Sequence, residues 1–259
     1  MKNAQIFLNL LMRDLTVIKK DFFSDLINIV TWPTSLAITF GYVLPAVGMA
    51  PEMGSFLLVG SIATTFFYLA IGMGSDLVSD FSSLRFINSQ LVTPITSHHV
   101  LLLQRVCSFA LYSVMLSVPI LPIGKLLLAQ RLDLSHFSLL KFIMIVVECG
   151  FFFGFFGLFL AAIIENNRAL SNVWRRIYTP MQLFGCYWFS FKMGQEVFSW
   201  PAYFMLLNPV TLMTEGVRAS VFGQEQYLNF WISFTLLLGY ITLLALYSFS
   251  RLKNRLDLL

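Results

Sequence analysis

Six long apolar segments limit what this chain can fold into more than any other feature. They are Ile27–Val47, Gly54–Ser75, Leu101–Ile123, Phe142–Ile164, Ile177–Phe191 and Phe230–Phe249. A helix needs about 20 apolar residues to cross a bilayer, and all the segments except the fifth are that long. The chain has 259 residues, 58% of them hydrophobic and 12% charged, which excludes an ordinary soluble domain. We therefore predict an all-α membrane protein with six transmembrane helices in a single domain over residues 1–259.

The residues before the first segment have the pattern of an amphipathic helix over residues 3–22. One stripe consists of Phe7, Leu11, Leu15, Ile18 and Phe22. Arg13, Lys19 and Lys20 suit anionic lipid head groups, which predicts an interfacial helix lying on membrane lipids. The alternative is a plain cytosolic start to the first span.

The distribution of basic residues predicts the orientation. If the N-terminus is placed in the cytoplasm, 12 of the 17 Lys and Arg residues fall on the cytoplasmic side. The five on the outer side are Lys125, Arg131, Lys141, Lys192 and Arg218. Because basic residues favour the cytoplasmic side, both termini are predicted to be cytoplasmic.

The stretch Ser75–Val100 is the longest polar interruption in the first half of the chain, and on this topology it is cytoplasmic. Its apolar residues recur at helical spacing, which predicts a short amphipathic helix. The stripe consists of Leu77, Phe81, Leu84 and Ile87, with Arg85 on the polar side and Pro94 ending the helix. Residues 76–99 are either a connector on the membrane surface or a coupling loop on which a partner docks.

Glu148 lies inside the fourth apolar segment, which also carries Gly150, Gly154 and Gly157 at helical spacing. The glycines allow neighbouring helices to approach closely. A charged group at this depth is costly, so an intramembrane carboxyl is a functional candidate. The alternative is a protonated or hydrogen-bonded carboxyl that joins two helices.

Residues 192–227 predict a re-entrant or surface helix on the outer side before the last span. Asn208 is a good N-cap and Pro209 is favoured at the first helical position, while Gly223 is a stop signal. Glu215 and Arg218 are three residues apart on that helix and can pair.

The sequence lacks the motifs that are typical of nucleotide-binding and metal-binding sites. No G-x-x-x-x-G-K-[ST] loop and no H-E-x-x-H motif is present, and the adjacent His98 and His99 cannot easily share a metal. The three cysteines sit in apolar runs without paired spacing. We therefore expect no catalytic residue, no metal, no cofactor and no nucleic-acid partner.

Three stretches in register with the six segments resemble the membrane subunits of ABC-2-type ABC transporters. Residues 90–100, QLVTPITSHHV, resemble the family's L-L-x-T-P-[VIL]-[ST] cytoplasmic segment. Residues 177–187, IYTPMQLFGCY, resemble the proline-containing start of its fifth span. Residues 207–223, LNPVTLMTEGVRASVFG, resemble its N-P segment before the last span, and Asn208, Pro209, Arg218 and Gly223 match.

The resemblance implies a permease subunit of a bacterial ATP-driven exporter in the inner membrane. A separate ABC ATPase subunit would bind ATP, and the permease would form a homodimer or a heterodimer with a relative. The N-terminal helix and the loop after the second span would contact the ATPase, which favours docking on residues 76–99. Expected substrates are amphipathic: polysaccharides or lipid-linked sugars, lipids or drugs.

Two other classes of function compete with this one. A proton- or ion-coupled carrier would use Glu148, although carriers usually show more intramembrane ionisable groups. An intramembrane enzyme would need a second reactive group at the depth of Glu148, and the sequence shows none.

The predicted orientation is tested by reporter fusions. Fusions at Glu52 and Glu196 should report an outside location, and those at Ser97 and the C-terminus an inside location, because of the bias in basic residues. A cytoplasmic signal from the Glu52 fusion would contradict the scheme.

Overall fold

The computed structural model describes residues 2–48, 50, 52–83, 98–164 and 167–256, and its regular elements there are all helical. The α-helices are α1 Lys2–Ile38, α2 Leu44–Ala46, α3 Met53–Ser83, α4 His98–Ser117, α5 Ile120–Leu128, α6 Leu139–Ile163, α7 Asn167–Val173, α8 Thr179–Leu183, α9 Phe191–Phe198, α10 Pro209–Phe222 and α11 Phe230–Leu256. Thr39–Val43 and Trp174–Tyr178 are π-helical, and Ala129–Arg131 and Trp200–Leu207 are 3₁₀-helical.

Five helical stretches in the described part of the chain are long and apolar enough to cross a membrane. They are Ala4–Ala46, Met53–Ser79, Val100–Arg131, Leu139–Ile163 and Phe230–Leu252. The prediction of an all-α membrane protein is confirmed. The predicted fifth span, Ile177–Phe191, is not one helix, because α8 ends at Leu183 and turns follow up to Ser190.

Each π-helical turn ends two residues before a proline. Proline lacks an N–H, and its ring clashes with the carbonyl four residues earlier. For Pro45 and Pro180 those carbonyls belong to Gly41 and Arg176, which lie inside the two π-helices. The widened turns accommodate the clash, and the Gly41 carbonyl accepts a hydrogen bond from Arg131.

The N-terminal region differs from the predicted separate helix over residues 3–22. α1 runs unbroken from Lys2 to Ile38, since no proline or glycine precedes Pro33. Its acidic side packs on α4: Gln104 Nε2 donates to Asp14 Oδ2 at 2.5 Å, and Tyr112 donates to Asp25 at 2.8 Å. Residues 14–25 are therefore part of the bundle.

Contacts between helices define two ends of the bundle. α1 runs parallel to α4 and α5, because Asp14 pairs with Gln104 and Tyr42 donates to the Leu127 carbonyl. α6 and α11 also run side by side, with Phe159 against Tyr247. We call the end that holds the start of α1, the end of α11, Ser83, His98 and Ile163 the inner end. The outer end holds Ala46, Met53, Arg131 and Leu139.

α6 lies at the centre, and two of its glycines bring α4 into close contact. A Cβ built on Gly150 would lie 3.0 Å from the Ala110 Cα, and one on Gly154 would lie 3.2 Å from the Val106 carbonyl oxygen. On another face of α6, the Phe153 ring lies 5.9 Å from that of Phe67 on α3. These contacts fix α6 between α3 and α4.

Adding a methyl group at the α4–α6 contact should destabilise the protein. Gly154→Ala should lower the free energy of unfolding by about 1–3 kcal/mol, because the new Cβ meets backbone that cannot easily move. Gly239→Ala on α11 is the control, since nothing lies within 4 Å of its added Cβ. Thermal unfolding in detergent measures both, and equal midpoints would contradict the close packing.

Candidate functional site

α10 has the boundaries that its sequence predicts. The Asn208 Oδ1 accepts from the Val210 N–H at 3.0 Å, and Pro209 occupies the first turn. Gly223 ends the helix with φ +88°, and a Cβ there would lie 3.2 Å from that of His136. The predicted helix from Pro209 to the Gly223 stop is confirmed.

α10 does not lie on the surface but extends into the bundle. Asn208 Nδ2 donates to the Met181 carbonyl at 2.7 Å, and Tyr240 of α11 donates to the Leu207 carbonyl at 2.9 Å. The start of α10 is thus level with the interior of α11, and its end lies beside His136 at the outer end. α10 therefore runs inside the bundle from the level of the middle of α11 to the outer end.

One face of α10 holds the turn that follows α8. Thr211 and Thr214 donate to the Phe184 and Gly185 carbonyls at 3.1 and 2.7 Å. Arg218 donates to the Cys186 carbonyl, and to the Tyr187 carbonyl at 2.7 Å. Four consecutive carbonyls are therefore satisfied by side chains spaced three to four residues apart, and we call this set of contacts the carbonyl latch.

The predicted pair of Glu215 and Arg218 lies at the centre of the carbonyl latch. Nη1 of Arg218 is 3.7 Å from Oε1 of Glu215, and both side chains are fully buried. Glu215 also accepts from the backbone N–H groups of Phe191 at 3.1 Å and Leu228 at 2.9 Å. A buried carboxylate needs such partners. Here the two donors, Phe191 and Leu228, flank residues 192–227, for which the sequence predicts a re-entrant or surface helix.

Arg218 is enclosed by α3 on its other side. Its guanidinium carbon lies 3.5 Å from the centroid of the Phe56 ring, a cation–π contact. A Cβ on Gly60 would come within 2.5 Å of the guanidinium Nη2. The carbonyl latch therefore ties α10 and the turn after α8 to the outer half of α3.

An open chamber of about 810 Å³ lies at the outer end, above the carbonyl latch. Its aromatic lining consists of Phe56, Trp188, Phe222 and Tyr227, and its charged lining consists of Glu52, Arg131, Asp133, Lys192, Glu196 and Glu225. The Tyr227 ring stacks on Phe56 at 6.5 Å and on Phe222 at 5.9 Å. Burial raises the pKa of Tyr227 to about 12, so its hydroxyl stays protonated. The chamber offers ring surfaces and charged groups together.

A second cleft, of about 570 Å³, lies toward the inner end between α1, α3 and α4. Asp14, Asp21, Asp25 and Asp76 line it. Sequence reasoning missed the three acids of α1. Their spacing of seven and four residues places them on one helix face, a signal that the apolar stripe on the same helix obscured.

The predicted docking residues are only partly described. Leu77 lies on α3, which continues to Ser83, and is buried beside Gly157 of α6. It packs within the chain and is not exposed to a partner. Phe81 lies in the last turns of α3, while Leu84, Arg85, Ile87 and Pro94 fall outside the described residues.

Glu148 lies on α6 and is 5% exposed. Among the residues that the structure describes, neither of its carboxyl oxygens finds a hydrogen-bond partner. Among the residues that the structure describes, no group of three or more His, Cys, Asp or Glu side chains is placed to hold a metal ion.

Breaking the buried pair should destabilise the protein far more than breaking an exposed one. Glu215→Gln should cost about 3–5 kcal/mol, because it leaves a buried guanidinium without its counter-charge. Arg13→Gln removes a pair whose arginine is 47% exposed and should cost about 0–1 kcal/mol. Thermal unfolding in detergent compares the two, and a wild-type midpoint for Glu215→Gln would refute the role of the pair.

The comparison with known families agrees with this architecture. A comparison with curated protein sequences found no match. The family model of the ABC-2 type transporter matches residues 5–222, which include the carbonyl latch and both partners of the Glu215–Arg218 pair. Members of this family are membrane subunits of ABC transporters, which normally pair with an ABC ATPase subunit. The chain belongs to the ABC-2 type transporter family and is a membrane-spanning permease subunit.

Proposed function

We propose that this chain is the permease subunit of an ATP-driven exporter, and that it carries an amphipathic substrate across a bacterial inner membrane. The match to the ABC-2 family over residues 5–222 is the observation that carries the proposal. Two permease subunits, identical or related, form the path between them, and a separate ATPase supplies ATP binding and hydrolysis. The permease itself needs no cofactor.

The outer-end chamber supports an amphipathic substrate such as a lipid-linked sugar, a lipid or a drug. Its aromatic rings suit apolar or ring-shaped groups, and its carboxylates and basic side chains suit polar ones. The chamber is bounded by Phe56 and Tyr227, whose positions depend on Arg218 beneath them. A substrate reaching the outer end would meet both kinds of surface.

The arrangement of the inner end supports docking of the ATPase on residues 76–99. α3 ends there at Ser83, α4 begins there at His98, and both helices pack on α6. Arg13, Lys19 and Lys20 of α1 are exposed near the same end and suit anionic lipid head groups. Together with the bias in basic residues, this supports a topology in which both termini are cytoplasmic.

A second candidate is a proton- or ion-coupled carrier. Glu148 favours it, because a buried carboxyl without a hydrogen-bond partner is suited to gaining and losing a proton. Purified protein separates the candidates. Transport that needs a co-purifying ATPase and ATP supports the exporter, and transport driven by a proton gradient without ATP supports the carrier.

Acidic substitutions in the docking segment should release the ATPase without unfolding the permease. Phe81→Asp or Leu84→Asp should weaken binding of the ATPase about thirtyfold, the effect of losing a hot-spot anchor worth about 2 kcal/mol. Phe198→Asp is the control, since Phe198 is exposed on α9 at the opposite end. The measurements are the ATPase retained after purification and the transport rate.

If the Phe81 and Leu84 variants keep a full complement of ATPase and transport normally, residues 76–99 are a connector. If Phe198→Asp also releases the ATPase, the loss is a general effect of the added charge and the docking site is not located by these variants.

A further inference from the structure

Two buried carboxyl groups of this chain have opposite surroundings. Glu215 contacts Arg218 and accepts from two backbone N–H groups. Glu148 is 5% exposed, and neither of its oxygens has a hydrogen-bond partner in the described part of the chain. Because an unpaired buried carboxyl is costly, the chain either keeps Glu148 protonated or leaves it for a group that comes from outside.

Glu148 lines a groove of about 400 Å³ between α6 and α11. The rest of the groove is apolar, with walls that include Val147, Phe151, Phe234, Leu238 and Ile241. Leu238 is 49% exposed on α11, so the groove opens on a surface that a bilayer would cover. A molecule dissolved in the membrane can reach it without passing through either end of the bundle.

Lys141, the lysine on α6, does not pair with Glu148. Lys141 lies seven residues earlier, about 10 Å along the helix axis, and its ammonium group sits 5.7 Å from the centroid of the Phe230 ring. Arg218 already donates to carbonyls of the carbonyl latch and pairs with Glu215. None of the residues that line the groove carries a positive charge, so a cation that pairs with Glu148 there would come from a ligand.

We propose that the α6–α11 groove binds a lipophilic amine, a molecule with one apolar tail and one protonated nitrogen. The tail fills the apolar walls, and the nitrogen pairs with the Glu148 carboxylate. In the structure both oxygens are covered, so binding requires the side chain to turn toward the groove. The binding of an amine in this groove does not depend on the proposed export function. The further statement that substrate enters from the bilayer through this groove does rest on that function.

The surroundings favour this ligand over the other occupants. A metal ion takes several oxygen ligands, and Glu148 supplies the sole carboxyl among the residues that line the groove. A second copy of the chain that packed on this groove through its own α6–α11 face would bring apolar side chains and another carboxyl, and no cation. A neutral lipid would fill the apolar walls and leave the carboxyl unpaired.

Binding is measured on the purified subunit in phosphatidylcholine nanodiscs, without ATPase or nucleotide. The probes are a tritiated twelve-carbon primary amine and the twelve-carbon alcohol, each corrected for uptake by empty nanodiscs. We expect saturable binding of the amine and much weaker binding of the alcohol. Glu148→Gln should weaken amine binding about thirtyfold or more, as expected for loss of one partner of a buried charge pair.

Two further variants make the assay specific. Leu238→Trp narrows the groove without changing the carboxyl and should also abolish amine binding, whereas Asp21→Asn, at an exposed carboxyl of the inner-end cleft, should leave it unchanged. Equal binding of amine and alcohol, an unchanged affinity in Glu148→Gln, or no saturable binding would each overturn the proposal. So would efficient disulfide cross-linking of two Leu238→Cys subunits that excludes the amine, since the groove would then be an interface between copies.

This assay is independent of the exporter function. If the ATPase fails to co-purify but the amine binds through Glu148, export is wrong and the site stands. If the ATPase co-purifies and amine binding is absent, the exporter stands and the site is wrong.

Discussion

The structure depends on satisfying four backbone carbonyls inside an apolar bundle. α8 ends at Leu183, and the turn after it exposes the carbonyls of residues 184–187. Lipid cannot hydrogen-bond such groups, so the chain has to supply the donors. α10 does so with Thr211, Thr214 and Arg218, spaced to follow the turn. The use of arginine as a donor then requires Glu215, and Glu215 in turn fixes the backbone at Phe191 and Leu228.

Residues 177–187 and 207–223, the two stretches on either side of α9 that resemble the family, therefore need each other in the fold. Residues 177–187 supply the broken helix and its carbonyls, and residues 207–223 supply the donors. Asn208 links them as well, since it caps α10 and donates to the Met181 carbonyl. Gly60 belongs to the same unit although it lies on α3, because a side chain there would occupy the position of the Arg218 guanidinium.

The sequence predicted the helices and the caps but not the paths between them. Apolar length identified five long helices, and Asn208, Pro209 and Gly223 identified α10, since these signals act within a few residues. Apolar length also predicted a span over Ile177–Phe191, where the helix ends at Leu183. The extent of α1 was missed, because nothing local shows that Asp14 and Asp25 pair with side chains about 90 residues later. Leu77 fits an amphipathic stripe, yet it is buried, because α3 continues past the predicted end of the span to Ser83. The spacing of apolar residues shows which helix face they share, but it does not show which other element packs on that face.

α3 is the element that joins the two ends of the permease. At its outer end Phe56 lines the chamber and lies over Arg218, and Gly60 contacts the same guanidinium. Toward its inner end Leu77 packs beside Gly157 of α6, and the helix continues to Ser83, about 40 Å from Phe56. α3 contains no proline, so displacement of its inner end would move it as one body against α6. If the ATPase docks near residue 83, as proposed, we expect a displacement of α3 there to shift Phe56 and the floor of the outer chamber. The carbonyl latch would transmit that change to α10 and the turn after α8.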